Sequence, residues 1–105
     1  MTQAVEIIAR EEIERKASEI LRRYPVKKAA LFGSVARGDF TNESDVDMLL
    51  DCLPDVTYID LAGIMLDLEE MLGRSVDLIT YDSLKEAKKG FRLNVEEDAY
   101  VFYER

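Results

Sequence analysis

The chain has 105 residues, 48% hydrophobic and 34% charged, with 14 Lys and Arg against 22 Asp and Glu for a net charge of −8. That balance fits one compact domain over residues 1–105 and speaks against disorder and against an extended nucleic-acid surface, which needs basic residues to neutralise phosphates. Histidine is absent, which excludes Ser-His-Asp and Cys-His catalysis, His-ligated zinc and an imidazole base.

No apolar run approaches the ~20 residues needed to cross a bilayer, so no membrane contact is expected. The opening MTQAVEIIAREE lacks the basic start and apolar centre of a signal peptide, so a cytoplasmic location is expected. Cys52 is the single cysteine, so no internal disulfide forms, and it reads as a small apolar residue near a strand end.

In chain order, residues 5–24 read as an amphipathic helix, with Ile13, Ala17, Ile20, Leu21 and Tyr24 at helical spacing, ended by Pro25. Residues 28–32, KAALF, fit a buried strand. Residues 34–37 read as one helical turn closed by Gly38, and residues 39–44 as a polar loop. A second strand follows over 46–50. Residues 57–72 form a second long helix, with Tyr58, Leu61, Ala62, Met65, Leu68 and Leu72 on one face and Gly73 just past its end. Residues 75–80, SVDLIT, make a third strand. Residues 84–89 favour helix, Gly90 interrupts, 91–98 are helical again, and 99–103, AYVFY, read as a strand at a sheet edge. The alternation predicts an α/β fold with a small mixed sheet of three to four strands flanked by helices.

Two familiar motifs fail on inspection. GSVARG has the glycine spacing of a P-loop, but Asp39 and Phe40 stand where Lys and Ser or Thr are required. Asp45-Val46-Asp47 opens like a calcium loop, but Met48, Leu49 and Leu50 replace its polar ligands. Residues i and i+2 of a strand share a face, so Asp45 and Asp47 converge at the strand entrance. Two such carboxylates repel, and a hard divalent cation such as Mg²⁺ relieves the repulsion while accepting water and phosphate oxygens in its other positions.

Gly33-Ser34 supplies a second element of a metal–nucleotide site. Glycine permits close approach of a phosphate to the backbone, amides at a helix start favour an anion, and the Ser34 hydroxyl adds a hydrogen bond; alternatively Ser34 is an N-cap. Asp77 lies inside the apolar run Val76-Asp77-Leu78-Ile79, where a lone carboxylate is costly unless paired or metal-bound. If its strand neighbours residues 46–50, Asp77 stands beside the other two as a third ligand and proton acceptor. Otherwise it pairs with Arg74 or a lysine.

Gly33-Ser34, ten intervening residues, then Asp45-Val46-Asp47 resembles the signature of the polymerase-β-like nucleotidyltransferase superfamily. FGSVARG, SDVDMLLD and the closing NVEEDAYVFYER resemble its minimal nucleotidyltransferase (MNT) members, and Asp77 stands where the superfamily has its third carboxylate. The resemblance implies a polymerase-β-like core and two Mg²⁺ ions held by Asp45, Asp47 and Asp77. It implies a nucleoside triphosphate, ATP by family analogy, bound at Gly33 and Ser34. Arg37 is a candidate phosphate contact, with a salt bridge to Asp39 or Glu43 as the alternative. It also implies a HEPN-domain RNase toxin as partner, with AMP transferred to a tyrosine of that toxin. The chain would then be its antitoxin, as a homodimer or a hetero-oligomer with the toxin. A second reading is an antitoxin that blocks the partner sterically without catalysis. A third, transfer to a small molecule or nucleic acid, is disfavoured by the short chain and its negative charge.

Overall fold

The computed structural model describes residues 2–41 and 43–105, with side chains from residue 10 onward. Helix α1 (Thr2–Leu21) leads through a turn into β1 (Val26–Phe32) and a one-turn helix α2 (Gly33–Arg37). Then come β2 (Val46–Cys52), α3 (Tyr58–Leu72), β3 (Val76–Thr80), α4 (Tyr81–Glu86), α5 (Lys89–Asp98) and β4 (Tyr100–Glu104). The sheet order is β3-β2-β1-β4. β1 is antiparallel to both β2 and β4, whereas β2 and β3 are parallel across the α3 crossover. The expected α/β fold with a four-stranded mixed sheet is therefore present, and β4 is at its edge.

The sheet has two unequal faces. Ala29, Leu31, Val46, Met48 and Leu50 point to one and are buried beneath α1 and α3 by Ile13, Ala17, Ile20, Leu21, Ile64 and Leu68. Ala30, Phe32 and Leu49 alternate to the other, where, among the described residues, only Leu84 of α4 and Val95 of α5 are buried against them. Each fully buried aliphatic side chain contributes ~1.5–3 kcal/mol, so the α1/α3 face carries most of the stabilisation.

α3 begins with a full capping box. The Thr57 hydroxyl accepts from the Asp60 amide at 3.1 Å, and the Asp60 carboxylate accepts from the Thr57 amide at 2.9 Å. Its buried stripe differs from the expected one. Ile64 and Leu68 are buried, with Leu61, Met71 and Leu72 packed beside them, while Tyr58, Ala62 and Met65 are exposed. α3 carries apolar residues on more than one face, so helical spacing alone does not select the face that meets the sheet.

In the turn after α1, the Tyr24 hydroxyl donates to Asp67 Oδ2 of α3 at 2.6 Å and passes so close to Gly63 that a Cβ there would lie 2.8 Å from it. The Tyr100 hydroxyl donates to Glu14 Oε2 at 2.5 Å, tying β4 to α1. Other boundaries shift modestly. α1 ends at Leu21 rather than at residue 24, because residues 22–25 form a turn ahead of β1. α4 starts three residues earlier than expected because Thr80 caps it, accepting from the Ser83 amide. Gly90 lies inside α5, and the break falls at Ala87–Lys88, where Ala87 is extended.

Candidate active site

The parallel pairing of β2 and β3 sets Asp47 directly beside Asp77. A backbone hydrogen bond from the Val46 amide to the Ser75 carbonyl, 2.9 Å, fixes this register at the strand entrances. Alternation then sends both carboxylates to the thinly covered face, since Leu49 and Ile79, two residues on, pack there. Asp45 immediately precedes β2, and its charge acts on Asp47. The three carboxylates thus gather at one end of the parallel pair.

Their environments differ. Asp47 is half-buried, whereas Asp45 and Asp77 are exposed. The expectation that Asp77 needs a partner because it is buried is overturned: β3 turns it outward at the sheet margin, where water solvates it. Burial first, then the charges of Asp77 and Asp45 and a hydrogen bond with Asp77, raise the Asp47 carboxyl to a pKa of about 6. Arg37 opposes this weakly. Among the described residues, no three acidic, thiol or imidazole side chains are drawn tightly enough to enclose a cation as they stand.

Gly33 closes the site from the β1 side. β1 pairs Phe32 with Asp47, so the next residue turns directly over that carboxylate. Gly33 has φ +72°, and a Cβ there would overlap Asp47 Oδ2 and lie 3.1 Å from its Cγ. Only glycine satisfies both the left-handed backbone and the contact. Ser34 is not the N-cap of α2: that position is Phe32, with no side-chain cap. Ser34 therefore lies in the first turn, next to the glycine and the carboxylates.

Arg37 forms ion pairs with Asp98 at 2.9 Å and Asp39 at 3.3 Å. One expected alternative, Asp39, is present; Glu43 is replaced by Asp98 at the end of α5. Sequence reasoning missed Phe40, buried within the polar loop that leads to Asp45. The Arg74 guanidinium stacks 5.7 Å from its ring centre, and Arg74 Nη1 is buried without a hydrogen-bond partner. A lone aromatic among polar loop residues was the available signal.

With this geometry in place, the chain matches the family model for the nucleotidyltransferase domain over residues 13–102. The chain belongs to that family. A Methanocaldococcus jannaschii protein assigned by name as a protein adenylyltransferase is 40% identical over 83 residues, covering 79% of this nucleotidyltransferase and 89% of the relative. A solved structure described as a minimal nucleotidyltransferase matches with a TM-score of 0.67 at 28% identity over 95% of both chains. A chain from the Shewanella oneidensis complex of a tri-AMPylated HEPN toxin with an MNT antitoxin matches with a TM-score of 0.67 at 19% identity, over 91% of this chain and 73% of that one. That last likeness is one of fold.

Proposed function

We propose that this nucleotidyltransferase moves AMP from ATP to a tyrosine hydroxyl of a cognate HEPN toxin and thereby acts as its antitoxin in the cytoplasm. The observation that carries the reading is the placement of Asp47 beside Asp77 under the Gly33 turn. The name of the M. jannaschii relative supports adenylyl transfer to protein, and the Shewanella complex supports a HEPN acceptor.

The donor set fits Mg²⁺. It is all oxygen, it stands at the entrances of β2 and β3, and the charges of Asp77 and Asp45, which after burial raise the Asp47 pKa, are charges that a cation would offset. Asp45, Asp47 and Asp77 would hold two such ions. When bound, the metal supplies charge neutralisation at the triphosphate and at the attacking oxygen.

The remaining work belongs to the chain. The Gly33 turn brings backbone close to the β- and γ-phosphates, and Ser34 donates its hydroxyl to a phosphate oxygen. Asp77, the exposed member of the pair, faces the incoming tyrosine and accepts its proton. The phenolic oxygen then bonds to the α-phosphorus, the bond from that phosphorus to the bridging oxygen breaks, and pyrophosphate leaves with the electron pair. Arg37 reaches phosphate only by releasing Asp39 or Asp98; in its present pairing it fastens α2 to the end of α5.

The test is intact mass spectrometry of the HEPN protein after incubation with this chain, Mg²⁺ and each nucleoside triphosphate in turn. A gain of one or more AMP units, lost with Asp45→Asn/Asp47→Asn, is the expected result. Neutralisation of the toxin without any mass gain would overturn the transfer and leave a steric antitoxin.

A further inference from the structure

One concavity of the molecule stands away from the carboxylates. It is a cleft of about 830 Å³ at the opposite, C-terminal ends of β2 and β3, between the turn that leads into α3 and the start of α4. Asp51 and Asp47 are four residues apart on one strand, so the cleft begins about 13 Å from the catalytic end.

Its chemistry is mixed in a particular way. Leu53, Val56 and Leu61 give it an apolar wall, and Asp51, Asp82 and Glu86 give it three carboxylates. The field is felt at the floor, where burial first, and then the charges of Asp51, Asp82 and Asp60, raise the Cys52 thiol. The cations nearby do not cancel it. Lys85 meets Asp82 at 3.8 Å, but both are largely in water, where such a pair is worth little. Lys28 sits 5.5 Å above the Tyr81 ring.

Beside the cleft, the first turn of α3 presents Tyr58 at 90% and Ile59 at 83% exposure. These are two large apolar side chains that the fold does not use, on a helix start held fixed by its capping box.

A triphosphate is repelled by these carboxylates, so the cleft is not a second nucleotide site. A second copy of this chain is a poor occupant, since each copy carries a net charge of −8. We infer that the cleft docks a basic, apolar-flanked segment of the protein that accepts the nucleotidyl group, an arginine or lysine entering among the carboxylates and apolar neighbours covering Tyr58 and Ile59. This rests on the proposed transfer to a protein, and it gives that reaction a recognition site separate from its chemistry. A protein acceptor spans the distance of about 13 Å between the two ends with only a few residues of extended chain.

The experiment measures transfer to the cognate HEPN protein as a function of its concentration, for wild type, Asp82→Asn/Glu86→Lys and Tyr58→Ser. All three side chains changed are exposed or rim residues, and circular dichroism melts confirm folding. The expected result is a KM for the acceptor raised about tenfold with kcat nearly unchanged, and a weaker salt dependence in the charge variant. The same substitutions in an Asp47→Asn background are titrated calorimetrically against the HEPN protein, so that docking is read without turnover. Unchanged KM and unchanged Kd overturn the cleft while leaving transfer standing. Binding without transfer in wild type overturns the proposed reaction, and the Kd comparison still decides the cleft. Absence of any binding overturns both. A shift from dimer to monomer in sedimentation, with acceptor binding intact, assigns the cleft to a second copy and overturns the inference.

Discussion

On one face of the sheet, α1 and α3 bury a continuous apolar layer from Ile13 to Leu68; on the other, α4 and α5 bury only Leu84 and Val95 over Ala30, Phe32 and Leu49. Asp47 and Asp77 lie on the second face. A carboxylate cluster on the first would have to be desolvated beneath two long helices, at a cost no neighbouring cation offsets. On the thin face the same residues stay within reach of water, metal and substrate. The fold thus separates what holds it together from what reacts, and substitutions on the two faces should fail in different ways.

The largest effect is expected on the thin face and on rate alone. Asp47→Asn should lower transfer on the order of 10³-fold or more, while the Tm stays level or rises because a half-buried like charge is removed. Steady-state transfer and a thermal melt on the same sample check both halves. A falling Tm would show that Asp47 is structural and would break the separation.

The largest stability effect is expected on the thick face. Leu68→Ala removes a fully buried side chain and should cost about 3–5 kcal/mol in urea unfolding. Leu84→Ala, on the thin face, should cost about 2 kcal/mol, toward the low end of the same range. Equal costs would contradict the unequal division of the core.

Gly33→Ala sits on both sides of the comparison. The positive φ alone costs about 1–2 kcal/mol, and the new methyl displaces Asp47, so stability and transfer should fall together.

The smallest effect is a pH dependence in metal-free protein. The Asp47 carboxyl binds its proton more tightly when folded, at about 6, than at its ordinary value of 3.8. The stability it contributes is therefore fully present below pH 4 and is lost as pH rises through about 6. With EDTA present, the Tm should drift downward between pH 4 and pH 7 in wild type relative to Asp47→Asn. Mg²⁺ should reverse the drift in wild type only.

Much of this was legible in the chain itself. Asp45 and Asp47 share a face because strands have period two, and Gly33 announces a turn because nothing else tolerates that backbone. The position of Asp77 depended on a pairing of strands thirty residues apart, which periodicity cannot supply; the register of Val46 with Val76 decides it. Its exposure was not legible, since an apolar flank looks alike on a covered strand and on a sheet margin. The face of α3 that meets the sheet was misread for a related reason: Tyr58, Ile59, Met65 and Leu66 are apolar yet exposed, so composition pointed to several faces at once. The cleft draws on segments at β2, α3 and α4 that come together only in three dimensions.

The contact between the turn after α1 and helix α3 constrains how this chain can vary over time. The Tyr24 hydroxyl fills the space a side chain at position 63 would need, and Asp67 holds it there. Alanine at 63 should suit helix propensity better than glycine by about 1 kcal/mol, yet that gain is closed while tyrosine stands at 24. Tyr24→Phe opens it. The two replacements are accessible in one order and blocked in the other, so the three positions should drift through a lineage as a unit.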